Sequence, residues 1–254
     1  MPDVLTAVRS ASVAEVAWRD ADGTIHVRGV VPLVGGSGPV LAFPYADAPV
    51  ARSIGGADEV LLTLTEPRST GTGFEPMLLR CTPTVTEDRE GLRFSSELLD
   101  QELRGYPPSR LLADSPLLRR EHWWWLPRVL VDLSVTAAHP FRARSTVTDH
   151  LLVVGDGPLT AAVAGVSDLI GSADPEVSVD ADPPGGGPAV LFGQDLSFPD
   201  LERWRQWSWP GTWDGTRFAA DSAPARVGLP PPLGVLARWR RHRRLEKACR
   251  AALG

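Results

Sequence analysis

The sequence predicts a mainly β fold of the α+β class, built on a small antiparallel barrel. Three observations carry that prediction. In the first half of the chain, short β-rich segments follow one another at close intervals. Tight-turn residues, above all Asp and Gly, separate them, and only one or two stretches have helical character. Six or seven strands joined by short turns do not form a βαβ array, which excludes a Rossmann domain on topology.

From Ser12 to Arg19, Val13, Glu15, Ala17 and Arg19 fall on one parity and Ala14, Val16 and Trp18 on the other, as in a strand with one apolar face. Asp20-Ala21-Asp22-Gly23 follows, a hairpin signal between two extended runs, and a second strand spans Thr24 to Leu33. Gly35 to Gly38 turns the chain into a third, Pro39 to Phe43. Ala46 to Ile54 reads as a short helix with Pro49 near its start, and Glu59 to Thr65 as a strand. Residues 76–86 and 91–95 read as a strand pair, Leu98 to Leu118 as helix broken by Pro107, Pro108 and Pro116, and Trp123 to Val135 as a long aromatic-rich strand.

The second half echoes the first in order. Asp156-Gly157 matches Asp22-Gly23, Gly187 to Phe192 matches Gly38 to Phe43, and Pro199 to Arg203 matches Pro49 to Arg52, with the Pro/Gly-rich run Gly171 to Gly187 absorbing a growing offset. Two readings stand: a duplication, giving a tandem fused pair with a degenerate second half, or two unrelated hairpins. The division that follows is a barrel over residues 1–136 and a second half over 137–254 that closes with a basic helix.

Composition narrows the class. At 43% hydrophobic and 22% charged over 254 residues, a packed core is within reach. No apolar run approaches the roughly 18 to 20 residues of a membrane span, and Met1-Pro2-Asp3-Val4 lacks the order of a signal peptide, so a cytoplasmic protein without a membrane partner is expected. Cys81 and Cys249 have no metal or redox spacing, and no metal motif is present. A single lysine, Lys247, stands against 25 arginines, a bias that a GC-rich bacterial genome accounts for. Residues 238–250 carry a net charge of plus 6 in a chain of net minus 5, so the tail is a separate electrostatic unit. Its Leu245, Ala248, Cys249 and Ala252 share one helical face that would dock on the body.

Arg28 on the second strand, Phe43-Pro44-Tyr45-Ala46 after the third, Arg52-Ser53 on the helix, and Glu121 to Arg128 leading into Val129–Leu133 together resemble the FMN-binding split β-barrel of the pyridoxamine 5'-phosphate oxidase superfamily. The resemblance implies that a strand arginine, an aromatic-containing turn and a basic helix residue hold the phosphate and ring edge of a flavin. The implied contacts are Arg28, Arg52 and Ser53 to phosphate, Phe43, Pro44, Tyr45 and Ala46 along the ring, and Trp123 and Trp125 around the pocket. The usual Ser-Arg-Lys-type triplet is absent, and in the second half Arg28 would map to Ala162, which points to one asymmetric site. The implied protein is a flavin-dependent oxidoreductase using FMN, or the deazaflavin F420, on a small-molecule substrate, as a homodimer or an intrachain pseudo-dimer.

The residues alone leave alternatives. On strand parity Thr24, His26 and Arg28 suit a solvated face, while Trp124 would point opposite to Trp123 and Trp125. His122 could ligate haem, as some split-barrel relatives bind it, and a non-catalytic scaffold could use the tryptophan-rich faces for partner contact. Trp204, Trp207, Trp209 and Trp213, interleaved with Arg203 and Arg205, could stack bases or cover the barrel. The acidic body and lack of nucleic-acid motifs argue against nucleic acid.

Overall fold

The computed structural model describes residues 3–66, 68, 74–113, 123–146, 148–155, 157–167, 175–179 and 185–254. A helix, α1 (Val4–Ser10), precedes the first hairpin, β1 (Ala14–Arg19) and β2 (Ile25–Val30). Then come β3 (Pro32–Val34), β4 (Pro39–Pro44), a 3-10 turn (Tyr45–Asp47), α2 (Ala48–Gly55), β5 (Val60–Leu64) and β6 (Met77–Asp88). A π turn (Phe94–Leu98), α3 (Leu99–Gly105), a 3-10 turn (Pro107–Ser109) and α4 (Arg110–Ala113) lead towards β7 (Arg128–Pro140). The second half supplies β8 (Asp149–Val154), β9 (Thr160–Ser167), β10 (Glu176–Val179), β11 (Gly187–Leu196), β12 (Trp204–Trp213), β13 (Phe218–Ala220) and a long helix, α5 (Val235–Leu253).

The first sheet has the order β2-β1-β5-β6-β7-β4-β3, with antiparallel pairing throughout. Its two edges, β2 and β3, are separated in sequence only by Val31, so one bent stretch supplies both and nearly closes the barrel. The second sheet, also antiparallel, has the order β10-β9-β8-β11-β12-β13. The mainly β, antiparallel barrel expected from the sequence is therefore present.

Side-chain alternation explains how the two sheets meet. On β5, Val60, Leu62 and Leu64 point into the barrel core, whereas Leu61 joins Leu151, Val153, Val190 and Phe192 from the second sheet. On β1, Ala14, Val16 and Trp18 face the core, and Ala17 faces the second sheet. Glu15 shares that outer parity and is buried there. Its carboxylate accepts hydrogen bonds from Thr65 and Gln194 at 2.8 Å and from Thr63 at 2.9 Å, with Arg144 at 3.3 Å. The outer face of the barrel is thus an internal seam between the sheets, apolar around Leu61 and polar around Glu15.

Several sequence expectations need correction. The strand expected at 91–95 is helical. The Asp88 carboxylate accepts from the backbone N–H of Leu92 (2.9 Å) and Phe94 (2.7 Å), and β6 pairs with β7 instead. Trp123–Leu126 form turns and not the start of a strand, because Pro127 has no N–H to give a ladder and β7 begins at Arg128. Hence Trp124 and Trp125 are both buried while Trp123 is exposed, in place of the alternation expected. Extended structure from Thr24 to Leu33 is split at Val31, and α1, capped by Asp3 accepting from Leu5 N–H, is an addition. On α5 the docked stripe is Leu245, Cys249 and Leu253; Ala248 and Ala252 are exposed. The turn at Pro199–Arg203 has no counterpart of α2. Glu121, His122, Pro116, Leu118, Asp156, the glycines of 70–73 and most of the 171–187 run lie outside the described residues.

Candidate functional site

A cavity of about 570 Å³ lies where the barrel, the second sheet and α5 converge. That size falls in the range of small-molecule and cofactor sites. Arg28 and Gly29 from β2, Phe43 and Pro44 from β4, and Arg128 from the start of β7 form the barrel side. Glu102, Tyr106 and Ser109 come from the helical connection, Trp204 and Gln206 from β12, and Arg238, Arg241, His242 and Leu245 from α5. The helical residues recur at three- and four-residue spacing, so one stripe of α5 forms a wall.

Charge is unusual in this cavity. Arg28, Arg128, Arg203, Arg238 and Arg241 meet Asp47, Glu102 and Glu202, a positive excess in a chain whose net charge is negative. Arg28 donates to Asp47 at 3.0 Å with its guanidinium 5.8 Å from the Phe43 ring centre, and Arg238 donates to Glu202 at 2.6 Å. Arg241 lies beside Tyr106, whose hydroxyl pKa is pushed up by burial and drawn back by that guanidinium. Arg128 differs from all of these. It is 1% exposed, with its guanidinium 4.0 Å from the Phe94 ring centre and 4.6 Å from that of Trp125. One Nη donates to the Pro127 carbonyl at 3.2 Å, the other stands 3.6 Å from Glu102, and Nε has no partner among the described residues. Burial disfavours its charged form, although a guanidinium stays protonated.

The structure brings four of the sequence-derived site residues, Arg28, Phe43, Pro44 and Trp125, onto this cavity. It sets the others elsewhere. Tyr45 is buried and its hydroxyl donates to Glu87 at 3.4 Å; Arg52 donates to the same carboxylate at 2.6 Å. The Ser53 hydroxyl accepts from Trp18 Nε1 at 2.9 Å, at a shallower cleft shared with His26 and Arg28. Ala46 packs beneath α5, and Trp123 lies exposed with Arg250 5.1 Å from its ring centre. Arg28 and Arg52 therefore engage separate carboxylates.

The residues added by the structure come from distant segments. Arg128 ends the tryptophan-rich stretch that carries the resemblance, with no role assigned by sequence, and the α5 stripe was legible only as a docking face. Trp207, Trp209 and Trp213 pack in the second sheet's own core, leaving Trp204 of that group on the cavity. Among the described residues, no group of three His, Cys, Asp or Glu side chains could hold a metal, and no helix is long and apolar enough to cross a membrane.

No protein-family model matches the chain, and no curated protein does. Solved structures similar to it include HutZ, the haem storage protein from Vibrio cholerae, at 14% identity over 52% of this chain and 89% of that one, with a TM-score of 0.37. An F420 reductase is 16% identical over 55% of this chain and 98% of its own, with a TM-score of 0.38. A protein of the pyridoxinephosphate oxidase family from Clostridium acetobutylicum, related to general stress protein 26, is 10% identical over 54% and 83%, with a TM-score of 0.33.

Proposed function

We propose that the chain binds one flavin, FMN or F420, in the cavity between barrel, second sheet and α5, for a redox step on a small molecule. The observation that supports this is the lining itself: aromatic walls from Phe43, Tyr106, Trp125 and Trp204, joined to an excess of arginine over carboxylate. A planar ring system with an anionic tail matches both halves of that surface. The buried Arg128, with Nε unpartnered among the described residues, fits a ligand that brings its own negative charge.

When bound, a flavin supplies the hydride chemistry. The chain's own part is to bind, orient and exclude water. Phe43 and Trp125 give apolar surface, and Arg28 is held in place by Asp47 for contact with a ring edge. Gln206 and Trp204 close the side away from the barrel, so one chain builds the site from both of its halves. This is the intrachain pseudo-dimer with a single site.

His242 on the α5 wall favours haem as the second reading, since it places an imidazole at the cavity. The test is a binding titration of the purified protein with FMN, F420 and haem, followed by flavin fluorescence and haem absorption. Saturable uptake of FMN or F420 at one per chain is expected. Uptake of haem alone supports the second reading, and uptake of none of the three overturns the proposal.

A further inference from the structure

Arg128 and Arg241 both line the cavity, one at the start of β7 and the other on α5. Two of the lining arginines, Arg28 and Arg238, are already held by carboxylates at 3.0 and 2.6 Å. Arg128 is paired less closely. Its nearest carboxylate oxygen, on Glu102, is 3.6 Å away, beyond hydrogen-bond reach, and accepts from the Ser109 hydroxyl at 2.6 Å. A fully buried guanidinium has five donors to satisfy, and here a backbone carbonyl at 3.2 Å takes one while Nε has no partner among the described residues. The aromatic rings of Phe94 and Trp125 fix its plane, so it cannot swing out to water. Arg241 is exposed and lies beside the uncharged hydroxyl of Tyr106.

We propose that Arg128 and Arg241 together bind the phosphate of the cavity's ligand, so that the C-terminal helix α5 is a working wall of the site. The inference rests on the flavin reading above and assigns its anion subsite to residues other than Arg28, Arg52 and Ser53. A phosphate accepts two parallel N–H donors from each guanidinium, which satisfies the donors Arg128 leaves open. Because Arg241 is carried by α5, and α5 is held on the body through Leu245 and Cys249, ligand binding and helix docking reinforce one another.

The test compares ligands that share a ring and differ in the anionic tail. FMN is set against riboflavin, and F420 against its deazaflavin chromophore lacking the phosphate-bearing tail. The wild type, Arg241→Gln and Arg244→Gln are each titrated by fluorescence. Arg241 and Arg244 are both exposed on α5, so neither substitution removes core packing, and Arg244 is not on the cavity. The wild type is expected to prefer the phosphorylated ligand by about tenfold or more, as a charge-assisted contact implies. Arg241→Gln should lose most of that preference with riboflavin affinity unchanged, while Arg244→Gln keeps it. Equal wild-type affinity for both members of a pair overturns the anion subsite and leaves the flavin reading standing. So does an Arg241→Gln effect that is the same on both ligands, or one that Arg244→Gln reproduces. If no flavin binds, the flavin reading and this inference fall together.

Discussion

The side-chain amide of Gln206 hydrogen-bonds both backbone groups of Gly29, accepting from its N–H and donating to its carbonyl, each at 3.0 Å. A side chain from β12 thereby takes the place of a neighbouring strand at the β2 edge, which covers an edge that would otherwise be open. The approach works because position 29 has no Cβ. A methyl built there would collide with the Gln194 amide oxygen and lie 2.9 Å from Gln206 Nε2 and from the Trp204 ring. Gly29→Ala is therefore expected to destabilise the chain by about 1–3 kcal/mol in urea unfolding, the range for overpacking a fitted site. An unchanged midpoint would show that the two sheets adjust their spacing freely.

Arg144 holds the polar seam from the other end. It is buried, donating to Thr65 Oγ1 at 3.0 Å and Glu66 at 3.1 Å, with Glu15 at 3.3 Å. Arg144→Met would leave the buried Glu15 carboxylate without a counter-charge, while Glu66 keeps Arg68, whose Nε donates to it at 2.7 Å. A loss of about 3–5 kcal/mol is expected, as for breaking a buried pair from one side. Adding Glu15→Gln to Arg144→Met should recover part of it. A double variant less stable than Arg144→Met would contradict this account.

What the sequence made legible was local. The β1–β2 turn could be read because Asp20 accepts from the N–H of Asp22 and Thr24, both at 3.0 Å, and Gly23 adopts a φ of 82°, which glycine favours. The strand at β5 was legible from a run of Val, Leu and Thr over Val60–Leu64. Glu15 was not, since its parity looks solvated until Gln194, almost 180 residues away in sequence, covers it. The cavity failed to show for the same reason: residues 28, 128, 204 and 241 share no segment, and only the folded contact of barrel, sheet and helix joins them. Residues 91–95 and 123–126 were misread as strand because the aromatic and apolar content of a short helical segment or a turn is the same as that of a strand over so few residues.

The two cysteines report on different parts of the fold. Cys81 is buried in the barrel core and burial, reinforced by Glu59, pushes its thiol up to about 12. Cys249 is buried under α5, where burial also raises its thiol. Neither is expected to react with an aromatic disulfide reagent in the native protein, and both should do so in denaturant. Cys249 should be the first to react as conditions are made milder towards unfolding, because it is exposed when one helix lifts off, whereas Cys81 needs the barrel to open. Measuring both rates by mass-labelled alkylation checks this. Faster modification of Cys81 would refute it.

His150 sets a pH dependence of known sign. Its ring is buried, Nδ1 lies 2.7 Å from the Thr148 carbonyl, and Nε2 accepts from Trp207 Nε1 at 3.0 Å. Those contacts fit the neutral ring, with the proton on Nδ1, and leave no acceptor for a second proton. Burial pulls the pKa down to about 4 from an ordinary 6.5. The unfolded chain therefore binds a proton at this residue over a range in which the folded chain does not. Stability from this residue is fully present above the unfolded pKa and is lost as pH falls from there towards the folded value. Going from about pH 7 to about pH 5, the loss assigned to His150 is roughly 2 kcal/mol. His150→Gln, which can still accept from Trp207, should flatten that slope, so the pH 7 to pH 5 change in unfolding free energy becomes smaller than in the wild type. Identical slopes in the two proteins would mean that His150 takes up its proton without loss of the native packing.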